Sequence, residues 1–255
     1  MPIPFPTVQE VPLATPPLDE VVCQVRFPSI LRISSEEPVD FQELIRGRFP
    51  SLEKRQSIQL KLAQPGNPAE PLSEVQPISY LFADADGRTQ AVISPSFYAV
   101  STKKYIGWRS FLEDLSKVHS ALVEIYQPSY ATRIGLRYIN RLTFENTGVA
   151  NREELLSLIP DELTSTLRNR VWGDVEAMLG ILNFVELPAQ LNVRYGFEVD
   201  ESIPGFLLDF DYFEEGQFDL AEVIERCKRY HEAIYRAFRW MIRDQALSRF
   251  GAKTL

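Results

Sequence analysis

The stretch Tyr130-Ala-Thr-Arg133-Ile-Gly-Leu-Arg137-Tyr-Ile-Asn-Arg141-Leu-Thr-Phe144 has the two-residue period of an extended strand. Alternation puts Arg133, Gly135, Arg137, Ile139 and Arg141 on one face. Ile134, Leu136, Tyr138, Leu142 and Phe144 share the opposite face with Asn140. At ~3.3 Å per residue the outer arginines lie about 26 Å apart, with Arg137 midway. Three guanidinium groups along one face repel one another unless negative charge sits among them, and Gly135 leaves room for a close approach there.

Carboxylates are available on neighbouring segments. Arg194, Gly196 and Glu198 share a face, and the apolar alternation of Leu208, Phe210 and Tyr212 sends Asp209 and Asp211 to the polar side. Glu20 and Arg26 add to that side from the first strand. The ordinary account is a sheet face laced by cross-strand ion pairs. The sharper account is a concave, charge-lined site formed by Arg26, Arg133, Arg137, Arg141, Arg194, Glu198, Asp209 and Asp211. It would take a phosphate, a nucleotide or an acidic peptide, because guanidinium forks match such groups bidentately.

Working outward, Val21, Cys23, Val25 and Phe27 alternate with Glu20, Gln24 and Arg26, which predicts a first strand. Asp40 with Glu43 reads as a capping box. A strand is expected near Gln59 to Ala63, leading into a loop from Gln64 to Pro71. Ser79 to Ala83 and Thr89 to Ser94 flank Asp86-Gly87, a hairpin signal in which both central residues take positive φ. Phe97 to Ser101 continues the sheet, and Trp108 to Tyr126 has helical spacing. Asn151 with Glu154 caps another helix. Strands follow over Ala177 to Val185, Gln190 to Val199 and Phe206 to Phe213. Asp219 with Glu222 opens a terminal helix expected to reach about Gln245.

An offset of 111 residues links Glu20 with Ala131, Asp40 with Asn151, and Trp108 with Asp219. The expected fold is therefore α+β: two pseudo-repeated β-α-β-β-β-α halves, 18–128 and 129–255, forming one compact unit of mainly antiparallel sheet with two long helices packed on it. Ahead of them, residues 1–17 hold six prolines and read as an extended arm, either a loose tail or a segment that packs on a partner subunit.

Composition narrows the function. The 255 residues are 45% hydrophobic and 11% aromatic, which excludes a disordered chain. The net charge of -8 argues against nucleic acid as the partner. Two cysteines and two histidines exclude a disulfide scaffold and a zinc site built from Cys and His alone. No apolar run reaches the ~18 residues a membrane helix needs, and the start lacks a signal-peptide pattern. A cytoplasmic protein with no membrane partner is expected.

Catalytic signatures are absent: there is no phosphate-binding glycine loop, no H-E-x-x-H and no G-x-S-x-G. Cys23, Cys227, His119 and His231 all fall on or beside apolar faces and read as structural. No metal and no cofactor is expected. From Leu220 onward eight basic residues face four acidic ones, a local balance of +4 against -12 for the remainder. Arg229, Arg236 and Arg243 repeat every seven residues, a stripe that either faces water or docks on an acidic surface.

At the arginine strand, and at Pro17-Leu-Asp-Glu20-Val-Val, Ser94-Pro-Ser-Phe97, Tyr105-Ile-Gly-Trp108, Leu208-Asp-Phe-Asp211 and the helix from His231 to Gly251, the chain resembles a sporadically distributed family of uncharacterised bacterial proteins of about 250 residues. The resemblance brings no catalytic residues. Patchy distribution of such a family implies an accessory component of a phage-defence or toxin–antitoxin-like system, an association rather than a mechanism. The expected function is a non-catalytic, oligomeric protein-interaction module whose partner is another protein or a second copy, met through Tyr105, Trp108, Arg229, Arg236 and Arg243. The alternative is an enzyme or sensor for a small phosphorylated ligand on the charged face. Mixed Arg and carboxylate side chains on a sheet are similar to those of triphosphate tunnel enzymes, but the Glu-x-Glu-x-Lys pattern is missing: Val22 and Gln24 follow Glu20.

Overall fold

The computed structural model describes residues 5–55, 58–60, 73–75, 78–173, 175–200 and 203–252. The strand β1 (Leu18–Arg26) precedes two short helices, α1 (Leu31–Ser35) and α2 (Val39–Ile45). Next come β2 (Ser51–Arg55), β3 (Ile58–Leu60), β4 (Ser73–Val75), β5 (Ser79–Ala83), β6 (Thr89–Ser94), β7 (Phe97–Thr102) and the long helix α3 (Trp108–Tyr126). Then β8 (Ala131–Thr143) leads through α4 (Phe144–Thr147), α5 (Arg152–Ser157) and α6 (Asp161–Arg168) to β9 (Met178–Glu186), β10 (Ala189–Asp200) and β11 (Ile203–Phe218). The helices α7 (Val223–Trp240) and α8 (Asp244–Arg249) follow.

Among the described residues nine strands form one open antiparallel sheet in the order β2-β5-β6-β7-β1-β8-β11-β10-β9, and β3 and β4 pair separately. The fold class is α+β. The two halves meet at the β1–β8 pair, where Cys23 lies opposite Leu136 and Val25 opposite Ile134. One face of the sheet is the floor of the core: Val21, Cys23, Val25, Ile134, Leu136, Leu208 and Phe210 are buried. The helix layer covers that face. Phe210 meets Phe238 of α7 edge-on at a centroid distance of 6.4 Å. Tyr212 stacks on Tyr230 at 4.6 Å, and Phe41 of α2 packs on Phe82 at 5.4 Å. Fully burying side chains of this kind contributes roughly 1.5–3 kcal/mol each, before the entropy of ordering them. The opposite face, which carries the arginines of β8, is not part of this core.

Local chemistry marks the core face and C-terminal end of α3 and the start of α5. On α3, Phe111, Leu115, Val118 and Leu122 are buried at spacings of three and four. The helix ends at Gln127, which takes a left-handed φ of 46° before Pro128. On α5, Asn151 caps the helix by accepting from the Glu154 N–H at 3.0 Å, while the Glu154 carboxylate accepts from the Asn151 side-chain amide at 3.1 Å and from the Ala150 N–H at 3.0 Å.

Several expectations are corrected. The cap residue of α2 is Pro38 with no side-chain hydrogen bond, and Asp40 lies inside the first turn. In the β5–β6 turn only Gly87 has positive φ (72°); the Gly87 N–H bonds the Asp84 carbonyl, giving a wider turn than Asp86-Gly87 alone implies. Asp219 caps a short 3-10 turn, Leu220–Glu222, rather than the long helix, which stops at Trp240 instead of Gln245. Of the strand expected near Gln59 to Ala63, β3 reaches only Leu60; the remainder and the expected loop Gln64 to Pro71 lie outside the described residues. The described part of the arm follows the chain's own helix layer: the Val11 N–H bonds the Tyr235 hydroxyl at 2.8 Å, and the Thr15 N–H bonds the Phe250 carbonyl at 3.1 Å.

Candidate functional site

Three adjoining strands build the charged face. Antiparallel register sets Arg137 opposite Asp211, Asp209 opposite Ile139, and Arg194 opposite Asp209. Arg137 clamps Asp209 bidentately with both contacts at 2.7 Å, and Arg194 lies 3.6 Å from the same carboxylate. Arg141 donates to Asp19 at 3.1 Å and to Glu198 at 2.9 Å. Arg133 reaches Asp211 at 3.4 Å and lies over the Phe213 ring at 4.4 Å. Arg26 turns to Gln24 at 3.0 Å. The space above Gly135 is filled by the Arg133 guanidinium itself, which a Cβ there would meet at 2.7 Å.

The electrostatics follow from this pairing. The bond to Asp209 holds the Arg137 guanidinium above its ordinary pKa. Burial raises the Asp211 carboxyl, opposed by Arg133 and Arg137. A hollow of about 570 Å³ on this face is lined by Lys103, Arg137, Arg141 and Arg194, and equally by Asp19, Glu20, Glu198 and Asp209. Four cations against four anions leave it without the surplus positive charge that attracts an anion.

At the far end of the same face the chemistry changes. Leu179, Ile181 and Val185 of β9 lie on the side of Arg194 and are exposed, Ile181 by 64%. Among the described residues no strand pairs with the outer edge of β9. The other end of the sheet, β2, is a five-residue strand carrying Glu53, Lys54 and Arg55.

The residues expected to meet a partner separate. Tyr105 packs edge-on against Tyr138 at 5.9 Å, and Trp108 stacks on His231 at 4.3 Å with the rings 8° from parallel. Both line a cavity behind the arm and are part of the core boundary rather than a free patch. Arg229 is exposed on α7, and Arg236 pairs with Glu232 on its own helix at 3.7 Å. Arg243 leaves the stripe because α7 has ended; it donates to the Ile159 carbonyl at 3.1 Å and pairs with Asp161 at 3.0 Å.

The buried histidines form a motif that sequence reading missed. Tyr98 on β7 meets His119 of α3 through the hydroxyl and Nδ1 at 2.7 Å; Tyr138 on β8 meets His231 of α7 in the same way at 2.9 Å. Cys23 and Cys227 touch at 3.5 Å between them. Each partner lies far away in the chain, so no local spacing reveals the contacts. Among the described residues, no group of three or more His, Cys, Asp and Glu side chains is placed to hold a metal ion, and no helix is long and apolar enough to cross a membrane.

No family profile and no curated protein matches the chain. Two solved structures of the S. pombe Pct1 RNA triphosphatase, one in complex with the Spt5 CTD, align with 91% and 92% of this chain and 82% and 85% of theirs, at 9% identity. Their TM-scores are 0.13 and 0.11, and a likeness at that level carries no inference about fold or activity.

Proposed function

We propose that the protein is a non-catalytic interaction module that takes a strand from a protein partner, a second copy of the chain first among them, onto the open edge of β9. The observation that carries this reading is the contrast between the two sheet ends. The β2 end is short and charged, a common protection against edge pairing. The nine-residue β9 end carries no Lys or Arg, exposes Leu179, Ile181 and Val185, and has no strand paired along its outer side among the described residues. Strand addition pairs the backbone along that side and covers those side chains together. In an antiparallel pairing of two β9 strands centred on Leu182, Leu179 of one copy faces Val185 of the other, so the edge is self-complementary.

The test is light scattering on purified protein beside the variant Ile181→Lys. The wild type is expected to be dimeric or larger, and the variant monomeric with unchanged circular dichroism. A monomeric wild type that retains no protein from a lysate removes this reading. A place in a phage-defence or toxin–antitoxin-like system, in the cytoplasm, is part of the proposal and rests on the family resemblance alone.

The alternative, binding of a phosphorylated ligand to the charged face, has the 570 Å³ hollow in its favour. The carboxylate partners of Arg133, Arg137 and Arg141 weigh against it, since an incoming phosphate must displace them. A nucleotide thermal-shift panel with and without Mg²⁺ is expected to leave the melting temperature unchanged. We also infer that 18–128 and 129–255 descend from one β-α-β-β-β-α unit. This is supported by the strand order, which reads outward from the central pair as β1-β7-β6-β5 on one side and β8-β11-β10-β9 on the other.

A further inference from the structure

Behind the arm lies a cavity of about 560 Å³ that the β9 edge does not involve. Its size suits a small organic molecule, for which pockets run roughly 300–1,000 Å³. Its walls are largely apolar: Leu13 of the arm, Tyr105, Trp108, and Ile234 and Phe238 of α7. His231 breaks that pattern. It is 6% exposed, Trp108 stacks on one side of it, and its Nδ1 is engaged by the Tyr138 hydroxyl. Its Nε2 is buried with no hydrogen bond. A buried polar nitrogen left unmatched costs about 1–3 kcal/mol, so a group that satisfies it is strongly favoured.

The nearest candidate belongs to the chain itself. A carboxylate oxygen of Glu10 stands 3.5 Å from Nε2, long for a hydrogen bond, on a side chain that is half exposed at the cavity mouth. The contact still holds the Glu10 carboxyl below its ordinary pKa, first through the His231 ring. A second feature favours negative charge at the same place. Helix α3 begins at the cavity wall with Gly107 and Trp108, and no side chain caps its first N–H groups. Glu10 is carried on an extended, proline-rich segment outside the helices and strands. Pro12, Pro16 and Pro17 donate no backbone hydrogen bonds, and the Tyr235 hydroxyl holds the segment on either side of Glu10, accepting from the Val11 N–H at 2.8 Å and reaching the Gln9 carbonyl at 3.5 Å.

We propose that the cavity binds a small monocarboxylic acid with an apolar body, its carboxylate on Nε2 of His231 and its body against Trp108, Ile234 and Phe238, and that Glu10 occupies the carboxylate position when the ligand is absent. The ligand carboxylate makes the full hydrogen bond that Glu10 makes only at a distance. The arm then acts as a lid whose own acid competes with the ligand.

The experiment titrates 4-phenylbutyrate, octanoate and the neutral 4-phenylbutyramide into a protein carrying Trp172→Phe and Trp240→Phe, two exposed positions, so that Trp108 is the sole tryptophan and is excited selectively. One or both acids are expected to bind, and the amide at least tenfold more weakly than its acid. Glu10→Gln removes the competing charge and is expected to tighten acid binding several-fold. His231→Gln is expected to weaken it tenfold or more without changing the weak amide affinity. Acid and amide binding equally, or neither acid binding wild type or Glu10→Gln, overturns the site. Acid binding unaffected by Glu10→Gln overturns the role given to Glu10. If His231→Gln does not fold, the acid–amide comparison and Glu10→Gln still decide the matter.

Discussion

Asp209 is 3% exposed and lies beside two guanidinium groups, of which Arg137 supplies both of the short contacts. Removing one member of such a pair leaves a buried charge poorly compensated. With Arg194 still 3.6 Å away as a partial substitute, Arg137→Ala is expected to cost about 2–4 kcal/mol in urea unfolding. A loss below about 0.5 kcal/mol would mean the pair has no structural weight. His119 makes a second residue-scale prediction. Burial holds its pKa below the ordinary 6.5, opposed by the bond to the Leu220 carbonyl. The native state therefore binds fewer protons than the unfolded chain at mildly acid pH. The contribution of the neutral ring is fully present above pH 6.5 and is lost as pH falls below it toward the folded value. Melting temperatures from about pH 8 to about pH 5 should fall more steeply for wild type than for His119→Gln; parallel curves would refute this.

At the scale of elements, the β9–β10 ladder depends on one backbone position. Gly196 has φ of 146°, and a Cβ there would stand 1.8 Å from the Met178 carbonyl oxygen, a backbone atom that cannot swing aside. Gly196→Ala is expected to destabilise the protein by more than about 1 kcal/mol and to raise hydrogen exchange first in β9. Uniform exchange across the sheet would show that β9 is not an independent unit. The contrast with Gly135 is instructive, because the atom in the way there is the end of the flexible Arg133 side chain. The long helix α7 shows the limit of periodicity at this scale. Its apolar seam continues to Met241 and Ile242, both buried, but the backbone has already turned, and Arg243 serves the α5–α6 region instead of a helix stripe.

For the molecule as a whole, the arm, the helix layer and both halves of the sheet are tied together behind β1 and β8. Cys23 of β1 touches Cys227 of α7, Tyr138 of β8 bonds His231, and Leu13 of the arm packs on the same core. Deleting the arm through Ala14 uncovers apolar surface on Trp108, Ile234 and Phe238. It is expected to cost about 2 kcal/mol and to lower Tm by roughly 4–8 °C. An unchanged Tm would show that the arm is a dispensable tail.

Alternation and helical spacing were enough to locate β5, β6 and α3, to place β8 within a residue at either end, and to sort Arg133, Arg137 and Arg141 onto a single face. Those properties repeat every two or three to four residues and are set by backbone geometry alone. Strand order, the carboxylate each arginine meets, the two tyrosine–histidine contacts and the cavity behind the arm arose only on folding. They join residues separated by tens to hundreds of positions, such as Tyr138 with His231 and Val11 with Tyr235. No local period encodes such a meeting, because the free energy that selects it comes from burying both partners at once in a core that exists only when the sheet and the helix layer close together.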